Sequence, residues 1–360
     1  MRINNINSCY IHIPFCSSIC TYCDFCKMYY NEEIVNKYLE ALSKEINLCY
    51  KGDVLNTLYI GGGTPSCLKD YQLEKLFNIV QKLNLSKTIE FTFECNIENI
   101  EEDFLKMLKQ NKVNRISIGI ESFDNKILKT LGRNYKSDII KKKICLVKKY
   151  FDNINIDLIY GINGTTLKDI KKELDEFMSL EVNHISIYSL ILEDNTILKI
   201  NNYKEIDDGL NREMYDYIVA FLEKNNYINY EISNFSKKGY ESKHNLAYWN
   251  NDKYYGFGLG ASGYVSDIRY TNTRSITSYI KEDFIGMQEK QTIRIDMENF
   301  MILGLRKIKG VSKSEFKRRY NKEIKEVFDV GKLEEKGDYY YIRKDNIYIS
   351  NYILEDFINV

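Results

Sequence analysis

From residue 9 to about residue 190 the chain repeats one rhythm: a short apolar run, then a stretch whose apolar residues recur at helical spacing. The runs Cys9–Ile13, Thr57–Ile60, Ile89–Cys95, Arg115–Ile120, Asn155–Ile159 and His184–Ser189 predict six strands. Between them Ile34, Tyr38, Leu42 and Ile46 share one helix face, as do Leu73, Leu76, Phe77 and Val80, and then Phe104, Leu105 and Leu108. Strands that each feed a helix predict an α/β fold in which a parallel sheet curls into a partial, TIM-like (β/α)6 barrel. In such barrels the loops at the C-terminal strand ends converge on one site. The segments IPFCSSICTYCDFC, GGGTPS, ECN and ESF, and the residues around Asp157, all fall at or just beyond strand ends, so the chemistry is expected there.

After about residue 195 the rhythm changes to a helix near Leu210–Lys224 and then a Tyr- and Gly-rich region. We therefore expect a barrel domain over 1–195, a connecting region over 196–295 that completes the core, and a smaller α+β C-terminal domain over 296–360. The last part reads as short helices followed by a hairpin in YYYIRKDNIYIS, with Lys344, Asp345 and Asn346 at its turn, which resembles a winged-helix module. Lys+Arg and Asp+Glu balance at 51 each, so charge gives no reason to expect a nucleic-acid partner. No stretch approaches the roughly 20 apolar residues that span a bilayer, and the start lacks the layout of a signal peptide. A cytoplasmic protein is the expectation.

Cysteine usage changes the picture more than charge does. Nine cysteines are present, and four crowd into residues 16 to 26, which in a reducing compartment points to metal ligation rather than disulfides. Cys9, Cys49, Cys67, Cys95 and Cys145 are scattered and read as inert core thiols. The spacing Cys16-x3-Cys20-x2-Cys23 puts three thiolates on one short loop, enough for three irons of a cubane whose fourth iron keeps an open coordination position. Cys20, Cys23 and Cys26 also form C-x2-C-x2-C, so a zinc or ferredoxin-like site stays open on spacing alone.

The context around the cysteines is more specific. YIHIPFC-x3-C-x-YC-DF resembles the radical S-adenosylmethionine (SAM) superfamily, in its coproporphyrinogen-dehydrogenase-like branch. Further blocks fit the HemW heme chaperone subgroup in order: GGGTPS at 61–66, TFECN at 92–96, NRISIGIESF at 114–123, LGR at 131–133, NIDLIYG at 155–161, HISIYSL at 184–190, YEISNF at 230–235, HNLAYW at 244–249 and LGLR at 303–306. The resemblance implies a [4Fe-4S] cluster on Cys16, Cys20 and Cys23, with Cys26 outside the ligand set. SAM would fill the open iron position through its amino and carboxylate groups, and the reduced cluster would cleave a carbon–sulfur bond to give a 5′-deoxyadenosyl radical.

It implies further that Gly62, Gly63 and Thr64 contact the methionine portion of SAM, and that Tyr10 and the backbone at Tyr22 hold the rest. Glu94, Glu121, Arg133 and Asp157 come from successive βα units and can converge on one polar cofactor. Arg133 suits a carboxylate and Asp157 suits ribose hydroxyls. The chain departs from the family pattern where Glu121 replaces a usual Gln, Tyr135 a usual His, and Ile162-Asn163 a usual Leu-Pro.

Two functional classes use this scaffold. One is a heme chaperone that passes heme to an acceptor protein. The other is an oxygen-independent coproporphyrinogen III dehydrogenase that abstracts hydrogen from propionate side chains. Radical methylation or opening of heme ranks behind both. Tyr10 stands close to the start, whereas the dehydrogenases carry an extra segment before it, and His244-Asn245-Leu246-Ala247-Tyr248-Trp249 matches the HNxxYW block of the chaperones. Both features favour the chaperone. Of the three histidines, His12 lies beside the cysteine loop and His184 begins a strand, which leaves His244 as the expected heme ligand.

Overall fold

The computed structural model describes residues 6–358. Six strands follow the predicted order: β1 (Ser8–Ile13), β2 (Leu55–Gly62), β3 (Leu85–Asn96), β4 (Arg115–Glu121), β5 (Asn153–Tyr160) and β6 (His184–Ser189). They pair in parallel and in sequence, as right-handed βα units dictate. The intervening helices include α1 (Glu32–Cys49), α2 (Asp70–Val80), α3 (Glu102–Gln110), α4 (Ile140–Val147) and α5 (Leu167–Leu180). Helix α1 starts where the Asn31 side chain accepts the Ile34 N–H, carries Glu32 and Glu33 in its first turn, and buries Val35, Tyr38, Leu39, Leu42 and Ile46.

Each strand alternates with a period of two. On β4, Ile116, Ile118 and Ile120 are fully buried on the helix side, while Arg115, Ser117, Gly119 and Glu121 line the concave lumen. On β5, Ile154, Ile156 and Leu158 pack outward, and Asn155 and Asp157 line the lumen. The helix-facing side carries the apolar core, so the lumen is free to be polar.

The stretch after β6 does not stop at connecting the barrel. It adds β7 (Ile228–Glu231) and β8 (Asn234–Ser236) antiparallel beyond β6, then β9 (Tyr254–Phe257), β10 (Ser262–Val265), β11 (Ile268–Asn272) and β12 (Ile285–Lys290) on the opposite edge. Strand β9 pairs in parallel with β1, so the sheet holds a seventh parallel strand and twelve strands in the order β12-β11-β10-β9-β1-β2-β3-β4-β5-β6-β8-β7. The helix expected near residue 210 is α6 (Asp208–Lys224).

The C-terminal hairpin lies earlier than expected. It runs from β14 (Glu334–Lys336) to β15 (Tyr339–Tyr341) around Gly337, whose φ of 57° suits the turn, and β15 also pairs with β13 (Val311–Ser312). Lys344–Ile349 is a 3-10 helix instead, because Ile347 turns inward to join Ile353, Leu354 and Phe357 in the core. Of the scattered thiols, Cys9 and Cys95 are buried in the core as expected, whereas Cys49 and Cys67 are half-buried and Cys145 is exposed. Among the described residues no helix is long and apolar enough to cross a membrane.

One buried carboxylate ties the added strands to the barrel. Glu45 of α1 accepts the Gly258 N–H (2.9 Å), the Asn272 amide (2.6 Å) and the Tyr279 hydroxyl. Tyr38, two turns earlier on the same helix face, donates to the His12 carbonyl at 2.5 Å. Glu45→Ala leaves three donors without an acceptor and is expected to lower the unfolding free energy by about 2–4 kcal/mol, with Glu45→Gln falling between it and the unaltered chain. Urea unfolding measures this, and an unchanged midpoint in Glu45→Ala removes the tie.

Candidate functional site

The cysteine loop leaves the sheet after β1. Phe15–Cys16 pair with Met28–Tyr29, so residues 17–27 form a closed excursion over the C-terminal strand ends. Its base is pinned from two sides: Thr21 bonds to the carbonyls of Leu131 (3.1 Å) and Thr130 (2.7 Å), and the Cys26 carbonyl lies 2.7 Å from His12 Nε2. Lys27 Nζ donates to the Cys23 carbonyl across the loop. Cys16, Cys20 and Cys23 all face one cavity of about 550 Å³. Cys26 does not line it.

The glycine run is required by what lies against it. A Cβ on Gly61 would come within 2.6 Å of the Glu94 carboxyl. At Gly62 it would meet the His12 ring at 2.7 Å, and the φ of 123° disfavours any side chain there. At Gly63 it would strike Cys16 Sγ at 2.9 Å. Thr64 Oγ1 then donates toward Cys16 Sγ at 3.6 Å. The run lets the strand end, the cysteine loop and a carboxylate close onto each other.

The same cavity brings Tyr22, Gly62, Gly63, Thr64, Glu94, Glu121, Arg133 and Asp157 together with the three cysteines. Glu94 accepts from the Tyr59 hydroxyl (2.7 Å) and the Gly62 N–H (2.9 Å), yet burial pushes its pKa up to about 7. Asp157 accepts from Asn155 (2.9 Å) and Ser117 (3.2 Å), and burial raises it as well. Glu121 pairs with Arg133 and accepts the Tyr22 hydroxyl at 3.0 Å, and burial holds it above the ordinary carboxylate range even so. Glu121 also carries a φ of 61°, at a shift in register between β4 and β5. Burial raises the three thiols, Cys20 to about 11, while the Arg133 guanidinium works against that rise in each. Metal binding at this loop has to displace thiol protons.

Two expected site residues lie elsewhere. Tyr10 and His244 line a second cavity of about 500 Å³ with His12, Cys26, Tyr248, Tyr254 and Arg274. The two cavities share Asp24, Phe25, Tyr59 and Asn245 as a common wall. Aromatic rings run along the second one: Tyr10 to Tyr59 at 6.0 Å, Tyr59 to His244 at 5.2 Å, His244 to Tyr248 at 4.8 Å and Tyr248 to Tyr254 at 4.6 Å.

His244, the expected heme ligand, is hydrogen-bonded through its ring on both sides. It sits on α7 (Lys243–Trp249), whose first N–H groups donate to Glu90 at the start of the β3 lumen face. Its Nδ1 lies 2.8 Å from Thr57 Oγ1 and its Nε2 lies 2.8 Å from the Tyr248 hydroxyl, so both ring nitrogens are engaged. Burial drives its pKa down to about 3. His12 and His184 are saturated in the same way, by Tyr10 with the Cys26 carbonyl and by Asn155 with Tyr230.

The sequence reading missed Tyr59, Arg115, Ser117, Asn155, Ser186 and Asn245, all of which line the cysteine cavity. The signal was there in R-I-S-I-G-I-E and H-I-S-I-Y-S, where polar residues alternate with isoleucine. The cavity fits a polar cofactor on this structure's own terms. Buried Glu121 Oε2 and Arg133 Nε have no protein partner among the described residues, and three thiols stand at its rim.

Comparison with known proteins agrees with the geometry. The radical SAM superfamily matches residues 10–177. The chain is 38% identical to the heme chaperone HemW of Lactococcus lactis, over 98% of this chain and 97% of that protein. It is also 38% identical to the heme chaperone HemW of Bacillus subtilis, over 92% of each. Among solved structures, coproporphyrinogen III oxidase (HemN) from Escherichia coli superposes with a TM-score of 0.86, over 99% of this chain and 91% of that one, at 19% identity. That likeness carries the fold.

The raised Glu94 sets a pH dependence in the ligand-free chain. Above its ordinary value of 4.5 the unfolded carboxyl loses its proton while the folded one keeps it up to about 7. Stability therefore falls as pH rises between these values and levels off above them. Glu94→Gln is expected to remove roughly 3 kcal/mol of that fall, leaving the shares of Glu231 and Glu173 in place. Chemical unfolding across the window measures it; parallel curves for the variant and the unaltered chain would show that Glu94 does not titrate there.

Proposed function

Because the chain belongs to the HemW heme chaperone family within the radical SAM superfamily, we propose that it binds heme and passes it to an acceptor protein. A [4Fe-4S] cluster on Cys16, Cys20 and Cys23 and a SAM molecule complete the working form. The observation that carries the reading is the pair of adjoining cavities: a polar one under three thiols and an aromatic one beside it, with Tyr59 and Asn245 as the shared wall. A porphyrin is flat and apolar with charged propionates, so ring-lined walls suit its faces and a cation suits its edge. Arg274 supplies such a cation at the aromatic cavity.

Within the polar cavity the side chains have separable tasks. The Gly62 and Gly63 backbone lets His12 and the cysteine loop pack directly on the strand end, beside the cavity that the three thiols face. Glu94, Asp157 and the Arg133–Glu121 pair offer acceptors and a donor to amino, hydroxyl and carboxylate groups. Bound together, cluster and SAM supply reductive carbon–sulfur cleavage when the cluster is reduced. Cys26, in the aromatic cavity beside Arg274, stays outside the cluster. Iron ligation by His244 requires Tyr248 to turn off Nε2, which it can do into the cavity it lines.

The decisive experiment is anaerobic reconstitution with iron and sulfide, then heme titration and product analysis with coproporphyrinogen III, SAM and reductant. Stoichiometric heme binding without decarboxylated product is the expected result; loss of propionate carboxyls replaces the chaperone with the dehydrogenase. In the same preparation, alanine at Cys16, Cys20 or Cys23 is expected to abolish iron and sulfide retention, whereas Cys26→Ala keeps both. A Cys26→Ala chain that loses its cluster would place that thiol in the ligand set.

A second titration addresses the histidine. His244→Ala is expected to weaken heme binding by about tenfold or more, while Tyr248→Phe, which frees Nε2, binds at least as tightly as the unaltered chain. Equal heme spectra in His244→Ala and the unaltered protein would leave His244 a structural residue.

A further inference from the structure

Arg115 opens strand β4, only 2% exposed, with its side chain lining the cysteine cavity. Its guanidinium makes no hydrogen bond or ion pair with any described residue, and its Nε is fully enclosed without a partner. Glu94 and Asp157 feel its charge, as do the rings of His184 and His244, but none of them reaches it. A buried guanidinium without a hydrogen-bonded partner is costly, because the charges of Glu94 and Asp157 offset only part of its desolvation. Arg133 is the contrasting case, because Glu121 already meets its charge.

Asn245 faces the same cavity from α7, which closes the lumen end where β2 and β3 begin. Helix α7 is fastened there by His244 to Thr57 and by its first N–H groups to Glu90. The Asn245 side chain likewise makes no hydrogen bond among the described residues, and it belongs to the wall shared with the aromatic cavity. We propose that Arg115 and Asn245 form an anion anchor at the floor of the lumen that takes a carboxylate of the cargo, one propionate of a heme whose macrocycle lies along Tyr10, Tyr59, Tyr248 and Tyr254.

The depth of the residue separates this carboxylate from that of SAM. Arg115 precedes Gly119, against which the Glu121 and Arg133 side-chain heads lie, by four positions on one strand, which puts its Cα roughly 13 Å down the strand from that layer. A SAM bound through its amino and carboxylate groups at a cluster on the cysteine loop has its carboxylate at the top of the lumen. The floor cation is then left for a second molecule. The anchor rests on the heme reading above, and its chemistry is two donors converging on one carboxylate.

The test uses the full chain with its cluster reconstituted and two pairs of ligands: heme against its dimethyl ester, and SAM against decarboxylated SAM. The unaltered chain is expected to bind heme about tenfold or more tightly than the ester. Arg115→Met is expected to bind both at the affinity of the ester, Arg115→Lys to recover part of the preference, and both variants to keep the unaltered ratio between SAM and decarboxylated SAM. The ester comparison needs no variant, so a poorly folded Arg115→Met does not blunt it. Equal binding of heme and ester by the unaltered chain overturns the anchor while leaving the chaperone reading standing. A changed SAM ratio in Arg115→Met assigns the guanidinium to SAM and overturns it too. No heme binding at all by the unaltered chain removes the functional reading and the anchor's ligand with it.

Discussion

The polar lumen is the constraint on which the rest of the structure depends. Ser8, Tyr10, His12, Tyr59, Glu94, Arg115, Asp157 and Ser186 occupy alternate positions on the barrel strands, where a sealed barrel would hold Val, Ile and Leu. Burying these groups costs free energy, and the hydrogen bonds from Tyr59 and Gly62 to Glu94 and from Asn155 and Ser117 to Asp157 offset part of it. The outer face must therefore stabilise the sheet. Ile116, Ile118, Ile154, Ile156 and Ile185 do so against Leu105, Leu108, Ile144, Leu174 and Phe177, all essentially inaccessible to solvent.

The same division explains what could be read in advance. Strand order, parallel pairing and the helix faces follow from local periodicity, and the strands emerged within a few residues of their expected bounds. The cysteine spacing and the glycine run were legible because each needs a particular residue type at a particular place: a thiol to ligate, and no Cβ where Gly63 meets Cys16. Beyond residue 195 local pattern gave less. Strand β9 finds its partner in β1, far away in sequence, and nothing within YYGF indicates parallel pairing. The hairpin at Gly337 was misplaced because YYYIRKDNIYIS alternates like a strand while its Ile347 is wanted in the core.

Histidine roles were the least legible. Composition leaves His244 as the ligand by elimination, but the groups that occupy its ring include Thr57, 187 positions away, and Tyr248 on its own helix. The partners of His184, Asn155 and Tyr230, are likewise remote in sequence. In all three cases burial favours the neutral ring and the fold uses it as a two-ended connector. His12 props the cysteine loop, His184 joins β5 to β7, and His244 closes the lumen floor. A ring that fastens α7 to Thr57 can serve a ligand only if one of its two bonds is given up, and the bond to Tyr248 is the one whose other end faces open space.

Glu121 shows how strain and charge combine at the mouth. A non-glycine residue at a φ of 61° is held there against its own preference, at the register shift where β4 leaves its neighbour. The irregularity aims the carboxylate at Arg133 and Tyr22. A Gln at this place would present a neutral amide and leave Arg133 its full charge. With Glu the guanidinium is met before any ligand arrives, so an incoming anion gains less at the mouth than at a cation without an ion-pair partner. The lumen thus has one arginine ion-paired near its cysteines and another, Arg115, that feels Glu94 and Asp157 without a hydrogen bond to either.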